Sequence, residues 1–400
     1  MAASSPRSDP FALVGATLFD GTGRPPVEDT CVVVADGRIA AVGRGVPAGM
    51  RVENVSGLGL LPGLIDLHVH FGASTRETHR QTLEEARRDY AALRPGVRSA
   101  LLDAGVTTIR SVGDLKDAIL TLKQQVAVGA LEGPRVFCAG PVFTAPGGHP
   151  VGTVYRGNGW LAAHGAREVT DPGVARDEVH RLVADGVDGI KAVYSSGRVP
   201  RLSTEVLHAL GAAARSAGVW FAVHTGSLLE VREAAQAGAT SVEHGVTSGE
   251  PLDPETIALL RASDVAYVPT LGVAHAVWRT TEPDRVARLL ANTRSAHEAA
   301  VRIGVGTDAQ GPAMSFRDGV ADELRLLVEA GLSPVEALVA ATSENARLLG
   351  VGADLGTIEP GKRADLVLVN GRPWQRIGDV RHIHAVVQGG QLRRVAPAGP

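Results

Sequence analysis

A chain of 400 residues that is 44% hydrophobic can bury a large core, while a net charge of −3 and a pI near 6.5 argue against a nucleic-acid partner or an anionic membrane surface. No apolar run approaches the roughly 20 residues that a bilayer span requires. The opening "MAASSPRSDP" has no apolar leader core, so disorder over residues 1–10 and a cytoplasmic location are expected. Cys31 and Cys138 lie in apolar runs and read as small core residues of a reducing compartment.

From Phe11 to about Leu60 the pattern is short β, with a hairpin around Asp36-Gly37 in "ADGRIAAVG". Residues from about 354 to 394 are again short β and include a Gly-Gly turn. Segments 11–62 and 352–396 are expected to form one small β-sandwich domain, since chain ends often lie close together. Between them, residues 63–351 alternate strand-like and helix-like stretches. Eight apolar runs stand out: "GLIDLHVH", "VTTIRSV", "PRVFCAG", "VDGIKAVY", "VWFAVHT", "TSVEHG", "VAYVPT" and "IGVGTD". Helix-like segments such as "TRETHRQTLEEARRDYAALRPGVRSALLDAG" and "STEVLHALGAAARSAG" intervene. Alternation of this kind predicts an α/β fold with a parallel sheet. Eight strands over this length fit a (β/α)8 TIM barrel, with a doubly wound open sheet as the alternative. The 141–180 segment, with Tyr155 and Trp160, is long for a loop and is placed to line or cover a pocket.

Polar residues gather at the C-terminal ends of the runs, where barrel active sites are built. His68 and His70 are two apart on the first run and so share a face. His224 ends the fifth, His244 the sixth and Asp308 the eighth, and Lys191 lies near the end of the fourth. A lone strand-end histidine is usually a satisfied polar residue, and an Asp after "GT" can be a helix cap. Together these residues converge on one mouth, and imidazole plus carboxylate suits Zn²⁺ or a similar divalent ion. Only four of the 40 basic residues are lysines, and Lys191 sits in an apolar strand. Either it stays cationic and pairs with Asp308 or a substrate anion, or burial and nearby cations lower its pKa. In the second case the neutral amine can take up CO₂ as an anionic carbamate, which arginine, never deprotonated in proteins, cannot do.

"GLIDLHVH", the strand lysine, "VHT", "VEHG" and "GTDA" resemble the metal-binding signature of the amidohydrolase superfamily. Within it the chain is similar to the imidazolonepropionase-related group that includes Xaa-Pro dipeptidases. "AGVTTIRSVG", "PGGH" and the tail "LSPVEALVAATSENARLLG" extend the resemblance over nearly the whole chain. It implies two divalent metal ions, with zinc the first choice. His68, His70 and Asp308 would hold one, His224 and His244 the other, and carbamylated Lys191 would bridge. It further implies hydrolysis of a C–N amide bond by a bridging hydroxide, with Asp308 as general base and then acid. The small-molecule substrate would be an N-acyl amino acid, an Xaa-Pro dipeptide, or an aryl amide or carbamate. Hydrolysis of a cyclic amide or lactone, or a mononuclear deamination, is the alternative; imidazolonepropionases and mononuclear deaminases lack the bridging lysine. A homo-oligomer is expected.

Four residues are candidates for the substrate shell. Tyr194, at the exit of the lysine strand, would donate to a developing oxyanion or be a rim aromatic. His149, in a Gly/Pro-rich loop on the active face, matches the place where similar dipeptidases use a histidine for substrate. Arg110 would bind a substrate carboxylate or pair with Asp114. His275 lies in the loop after the seventh run. "YSSG" and "GPAMSF" depart from the dipeptidase pattern on the substrate side of the site.

Overall fold

The computed structural model describes residues 9–71, 96–195, 197, 199–310 and 315–395. The strands at the two chain ends join one mixed sheet of eight. Phe11–Leu18, Val27–Ala35, Arg38–Gly43, Arg51–Asn54 and Gly59–Pro62 come from the first segment, and Leu366–Val369, Ile383–Gln388 and Gln391–Arg394 from the last. The seam is Gly59–Pro62 against Leu366–Val369, antiparallel. Both expected hairpins form. Asp36 and Gly37 have φ of 48° and 75°, and Gly389 and Gly390 of 55° and 81°, the left-handed pair that a two-residue turn matched to strand twist requires. The two turns meet: a Cβ on Gly390 would lie 2.6 Å from the Cα of Gly37. Phe11, Leu13, Leu60, Leu366 and Val387 pack into one apolar cluster beneath the sheet.

The intervening chain is α/β with parallel strands. Leu64–Val69, Val106–Ser111 and Arg135–Cys138 form one parallel sheet. Gly189–Val193, Trp220–His224, Ser241–Glu243 and Ala266–Val268 run in parallel in the other. Helices return the chain between strands. Asp171, Ser203, Ser227 and Asp253 cap four of them, each accepting a backbone N–H three residues on. The helix expected over "TRETHRQTLEEARRDYAALRPGVRSALLDAG" lies outside the described residues up to position 95, and 96–103 is helical. Cys31 and Cys138 are free and buried, as core residues should be.

The eighth run departs from the regular strand its sequence suggested. It makes single bridges, Ile303 to Tyr267 and Ala309 to Val69. Backbone bonds complete the link: Leu67 N–H to Val305 O at 2.9 Å, Asp308 N–H to His68 O at 2.7 Å. Its glycines explain the departure. A Cβ on Gly306 would sit 2.8 Å from Cβ of His68, so the chain passes too close to its neighbours for a side chain there. On the opposite flank, Asp188 N–H donates to Cys138 O at 2.8 Å. The 141–180 segment is likewise more ordered than a loop. It contains the strands Val142–Thr144 and Ala166–Glu168 and the helix Gly159–Gly165, and ends in the helix Pro172–Asp185.

Asn345 ties the eighth run to the first. Its buried amide donates to Ile65 O at 2.7 Å and Val305 O at 2.9 Å, and its oxygen accepts Val305 N–H at 3.0 Å. Asn345→Ala removes the buried acceptor of Val305 N–H and the side-chain donor to Ile65 O, and leaves Val305 O with Leu67 N–H alone of its two donors. A loss of about 2–4 kcal/mol is expected, read as a lowered urea midpoint. An unchanged midpoint would remove Asn345 from this role.

Candidate active site

Strand parity assembles the floor of the cavity. His68 and His70 project together, with ring centroids 5.2 Å apart. His244 lies 4.9 Å from His68 and 4.3 Å from His224. Asp308 closes the group, its Oδ1 3.3 Å from His70 Nε2 and 3.7 Å from His68 Nε2. Donor atoms of His68, His70 and Asp308 lie within 4.8 Å of one another. Lys191 is 2% exposed, and its Nζ is 3.5 Å from His68 Nε2. All six residues line one cavity, together with His149, Tyr155, Val142, Val154, Val193 and Gln310.

Each orienting contact falls on the outer nitrogen of an imidazole. His68 Nδ1 is 2.7 Å from Glu243, His70 Nδ1 is 2.9 Å from Gly113 O, and His244 Nδ1 is 2.7 Å from Thr270 Oγ1. The carboxylate and the carbonyl can only accept, so His68 and His70 each carry a proton on Nδ1; His68, kept neutral by burial, presents a lone pair on Nε2 to the cavity, while His70 Nε2 faces Asp308, which raises the His70 pKa against the effect of burial. Converging lone pairs with outward-held protons are the donor set a divalent cation needs. Two of the donors are held in left-handed backbone: His244 at φ 66° and Asp308 at φ 56°, with Thr270 behind His244 at 47°. Such strain persists only where the surroundings impose it.

Burial sets the charges. It pushes His68, His224 and His244 well below the usual histidine range, Lys191 adding to the effect on each. Burial also brings Lys191 down to about 8, against the pull of Glu243 and Asp308, and His149 down to about 4. Burial opposes ionisation of Asp308 as well, but the His70 hydrogen bond and the His68 and His70 charges outweigh it and hold the carboxyl low.

Of the sequence-based candidates, His68, His70, Lys191, His224, His244, Asp308 and His149 come together; the His149 ring is 5.3 Å from His224. Three do not. Tyr194 is three positions from Lys191 and therefore faces away; Val193 takes the cavity side. The Tyr194 hydroxyl donates to Glu233 at 2.6 Å and meets Thr204 at 2.9 Å, so the oxyanion role is withdrawn. Arg110 is wholly buried behind His68, donating to Leu67 O at 2.6 Å, Ser241 at 3.1 Å and Glu243 at 2.7 Å. It reaches neither the cavity nor Asp114, whose carboxylate accepts from Ser111 and from Phe71 N–H. His275 sits within the helix Leu271–Trp278, not in a loop, and does not line the cavity. Of the two aromatics of the long segment, Tyr155 lines the cavity, whereas Trp160 stacks on His164 at 4.6 Å.

Three supporting carboxylates escaped the sequence reading. Glu243 bridges His68 to Arg110. Asp66, pushed up to about 6 by burial, accepts His68 N–H and both the N–H and hydroxyl of Thr307, fixing the approach to Asp308. Glu323 accepts the N–H groups of Leu271 and Gly272, the residues that follow Thr270. A signal existed for Glu243: Ser241 and Glu243 are two apart in "SVEHG" and share the inward face.

The Amidohydrolase family model matches residues 60–395. An imidazolonepropionase of Deinococcus deserti is 27% identical over 384 residues, 87% of each chain. The ochratoxinase of Aspergillus niger is 27% identical over 450 residues, spanning all of this chain and 89% of that one. A crystal structure of a Xaa-Pro dipeptidase with bound methionine in its active site superposes with a TM-score of 0.84 at 28% identity, covering 96% of this chain and 100% of that one. The chain belongs to the amidohydrolase family, in the group shared by imidazolonepropionases and Xaa-Pro dipeptidases. It is a hydrolase acting on C–N bonds.

Two measurements test the supports. Glu243→Leu removes the acceptor for His68 Nδ1–H. Histidine ¹⁵N spectra of metal-free protein should then show His68 leaving the single Nδ1–H tautomer, and an unchanged spectrum would refute the orienting role. Burial pushes Glu323 up to about 8 from an ordinary value of 4.5. The folded state therefore holds a proton that the unfolded chain releases, so the contribution of Glu323 to stability falls as pH rises from about 4.5 to 8. Glu323→Gln should flatten the melting temperature across that window; a slope equal to the parent's would exclude Glu323 as its source.

Proposed function

We propose that this chain is a binuclear metal-dependent amidohydrolase of a small-molecule amide, with the six converging residues as its metal ligands. On this reading the eight runs close into a (β/α)8 barrel over residues 63–351, and segments 11–62 and 352–396 form a separate small β-sandwich. The bonds from the eighth run to the first and from Asp188 to Cys138 support the closed ring. The Xaa-Pro dipeptidase superposition supports the same architecture.

One observation carries the binuclear reading: the lysine buried among imidazoles, 3.5 Å from the lone pair of His68. Burial favours its neutral amine, which adds to CO₂ to give a carbamate and a released proton. His68, His70 and Asp308 would hold one ion, His224 and His244 the second, with the Lys191 carbamate between them. Zinc suits these donors. Bound there, the ions acidify water to near neutral pKa and polarise the scissile carbonyl.

The remaining work falls to side chains. Asp308, ionised and facing the cavity, takes the proton of the attacking water and passes it to the departing nitrogen. His149 is neutral and beside His224, placed to hydrogen-bond the substrate. Its Nδ1 is 2.6 Å from Thr153 Oγ1, which fixes the ring. Lys191 at the centre of the donors favours a binuclear hydrolase over a mononuclear deaminase. We further propose a homo-oligomer acting in the cytoplasm without nucleic acid or membrane partners. No helix among the described residues is long and apolar enough to cross a membrane.

Metal analysis of protein reconstituted with zinc and bicarbonate should give two equivalents per chain. Lys191→Ala should abolish amide hydrolysis and bind fewer ions, with partial recovery on adding short carboxylates. One equivalent with an unmodified lysine, or an active Lys191→Ala enzyme, would overturn the binuclear mechanism.

A further inference from the structure

The described walls of the cavity differ in kind from its floor. Beside the imidazoles, Val142, Val154, Val193, Pro150 and Tyr155 line the cavity, and Val142, Tyr155 and Val193 belong to one apolar cluster. This lining begins at His70, where Val142 packs so closely on Gly113 that an added Cβ would lie 2.7 Å from Cγ1 of Val142 and 3.1 Å from the imidazole. It ends beside His224, where Val193 pairs in register with that histidine. Val154 remains 37% exposed at its outer edge, an apolar side chain open to solvent.

Among the described residues that line the cavity there is no arginine, and Lys191 is the one lysine. Arg110 is held behind His68 by Glu243 and Ser241. Arg201 lies on the far side of the lysine strand, 4.5 Å over the Tyr194 ring and 3.2 Å from Glu233. Lys191 belongs to the floor, below the plane where a substrate's flanking group would lie. A carboxylate laid against these described wall residues would lose water and gain no ion pair from them, whereas an aryl or branched alkyl group would gain contact along its length.

Resting on the amidohydrolase reading, we infer that the group flanking the scissile amide is uncharged and apolar, so that the substrates are neutral aryl or branched-alkyl amides and carbamates rather than dipeptides or N-acyl amino acids with a free carboxylate. This narrows the substrate class, and it separates the chain in specificity from the dipeptidase it superposes on.

The test uses substrate pairs that differ only in carboxylate against carboxamide: 4-acetamidobenzoate and 4-acetamidobenzamide, N-acetylleucine and N-acetylleucinamide, Ala-Pro and Ala-Pro-amide. Hydrolysis by the zinc-loaded enzyme is followed by chromatography of the released amine. The neutral member should be favoured about 100-fold in kcat/KM, the scale that one mismatched apolar contact commands. Val154→Arg places a cation at the exposed edge of the wall and should shrink or invert that preference, with circular dichroism confirming the fold. Preference for the free acid in the parent enzyme would overturn the inference and leave the hydrolase intact. A ratio unmoved by Val154→Arg would overturn the wall as its cause. Failure to cleave any member of any pair would sink the amidohydrolase reading, and this inference with it.

Discussion

The site depends on one constraint: several basic groups share a volume with little water. Four imidazoles and an amine cannot all be charged there. Burial resolves this by driving His68, His224 and His244 toward neutrality and bringing Lys191 to about 8. What remains is a group of neutral donors beside one carboxylate, Asp308, which raises the pKa of the imidazole it meets, His70. Donors grouped in this way could hold a cation. The cost of assembling it is met outside the cavity, by the apolar packing of the strands and by acceptors that hold each outward proton.

Those acceptors explain why the surroundings are more polar than a barrel-like core needs. Glu243 is buried and ionic, and a lone buried carboxylate would be strongly unfavourable. Arg110 and Ser241 make it tolerable, and His68 gives it a purpose. Removing any member leaves another unsatisfied, so this quartet behaves as one unit. Glu323 and Asp66 repeat the scheme at one further remove, holding the chain around Thr270 and Thr307 instead of an imidazole. The positive φ angles at His244, Thr270 and Asp308 are sustained by these bonds.

Much of this was legible in the residues, and the misses share a cause. The HxH pair, the strand lysine and the strand-end His and Asp announce themselves because period-two alternation and strand ends are local properties. Tyr194 was misassigned against that same rule: three positions from Lys191 is the opposite face, and Val193 was the residue to choose. Arg110 looked like a substrate ligand because an in-strand charge invites one, and its partner lies 133 positions away. The irregular eighth run escaped because nothing local announces that Gly306 is pressed against His68. His244 shows the limit most clearly. Alternation would send Glu243 and His244 to opposite faces, yet both approach His68, because a left-handed residue at 244 turns the chain between them.

The same reasoning separates chemistry from specificity. The six converging residues lie on strands and strand ends fixed by backbone bonding. The cavity wall comes from elsewhere: Val142, Pro150, Val154 and Tyr155 all belong to the 141–180 segment, whose two short strands and helix fold against the lysine strand. This segment pairs with the lysine strand at Phe143 opposite Ala192, and connecting segments vary in composition more readily than the strands they join. The ochratoxinase, imidazolonepropionase and Xaa-Pro dipeptidase relatives have different names on one architecture, which is what a fixed floor under a replaceable wall would produce. In this chain that segment lines the cavity with Val142, Pro150, Val154 and Tyr155 beside His149, and Arg110, which looked like a substrate-binding charge, serves the floor.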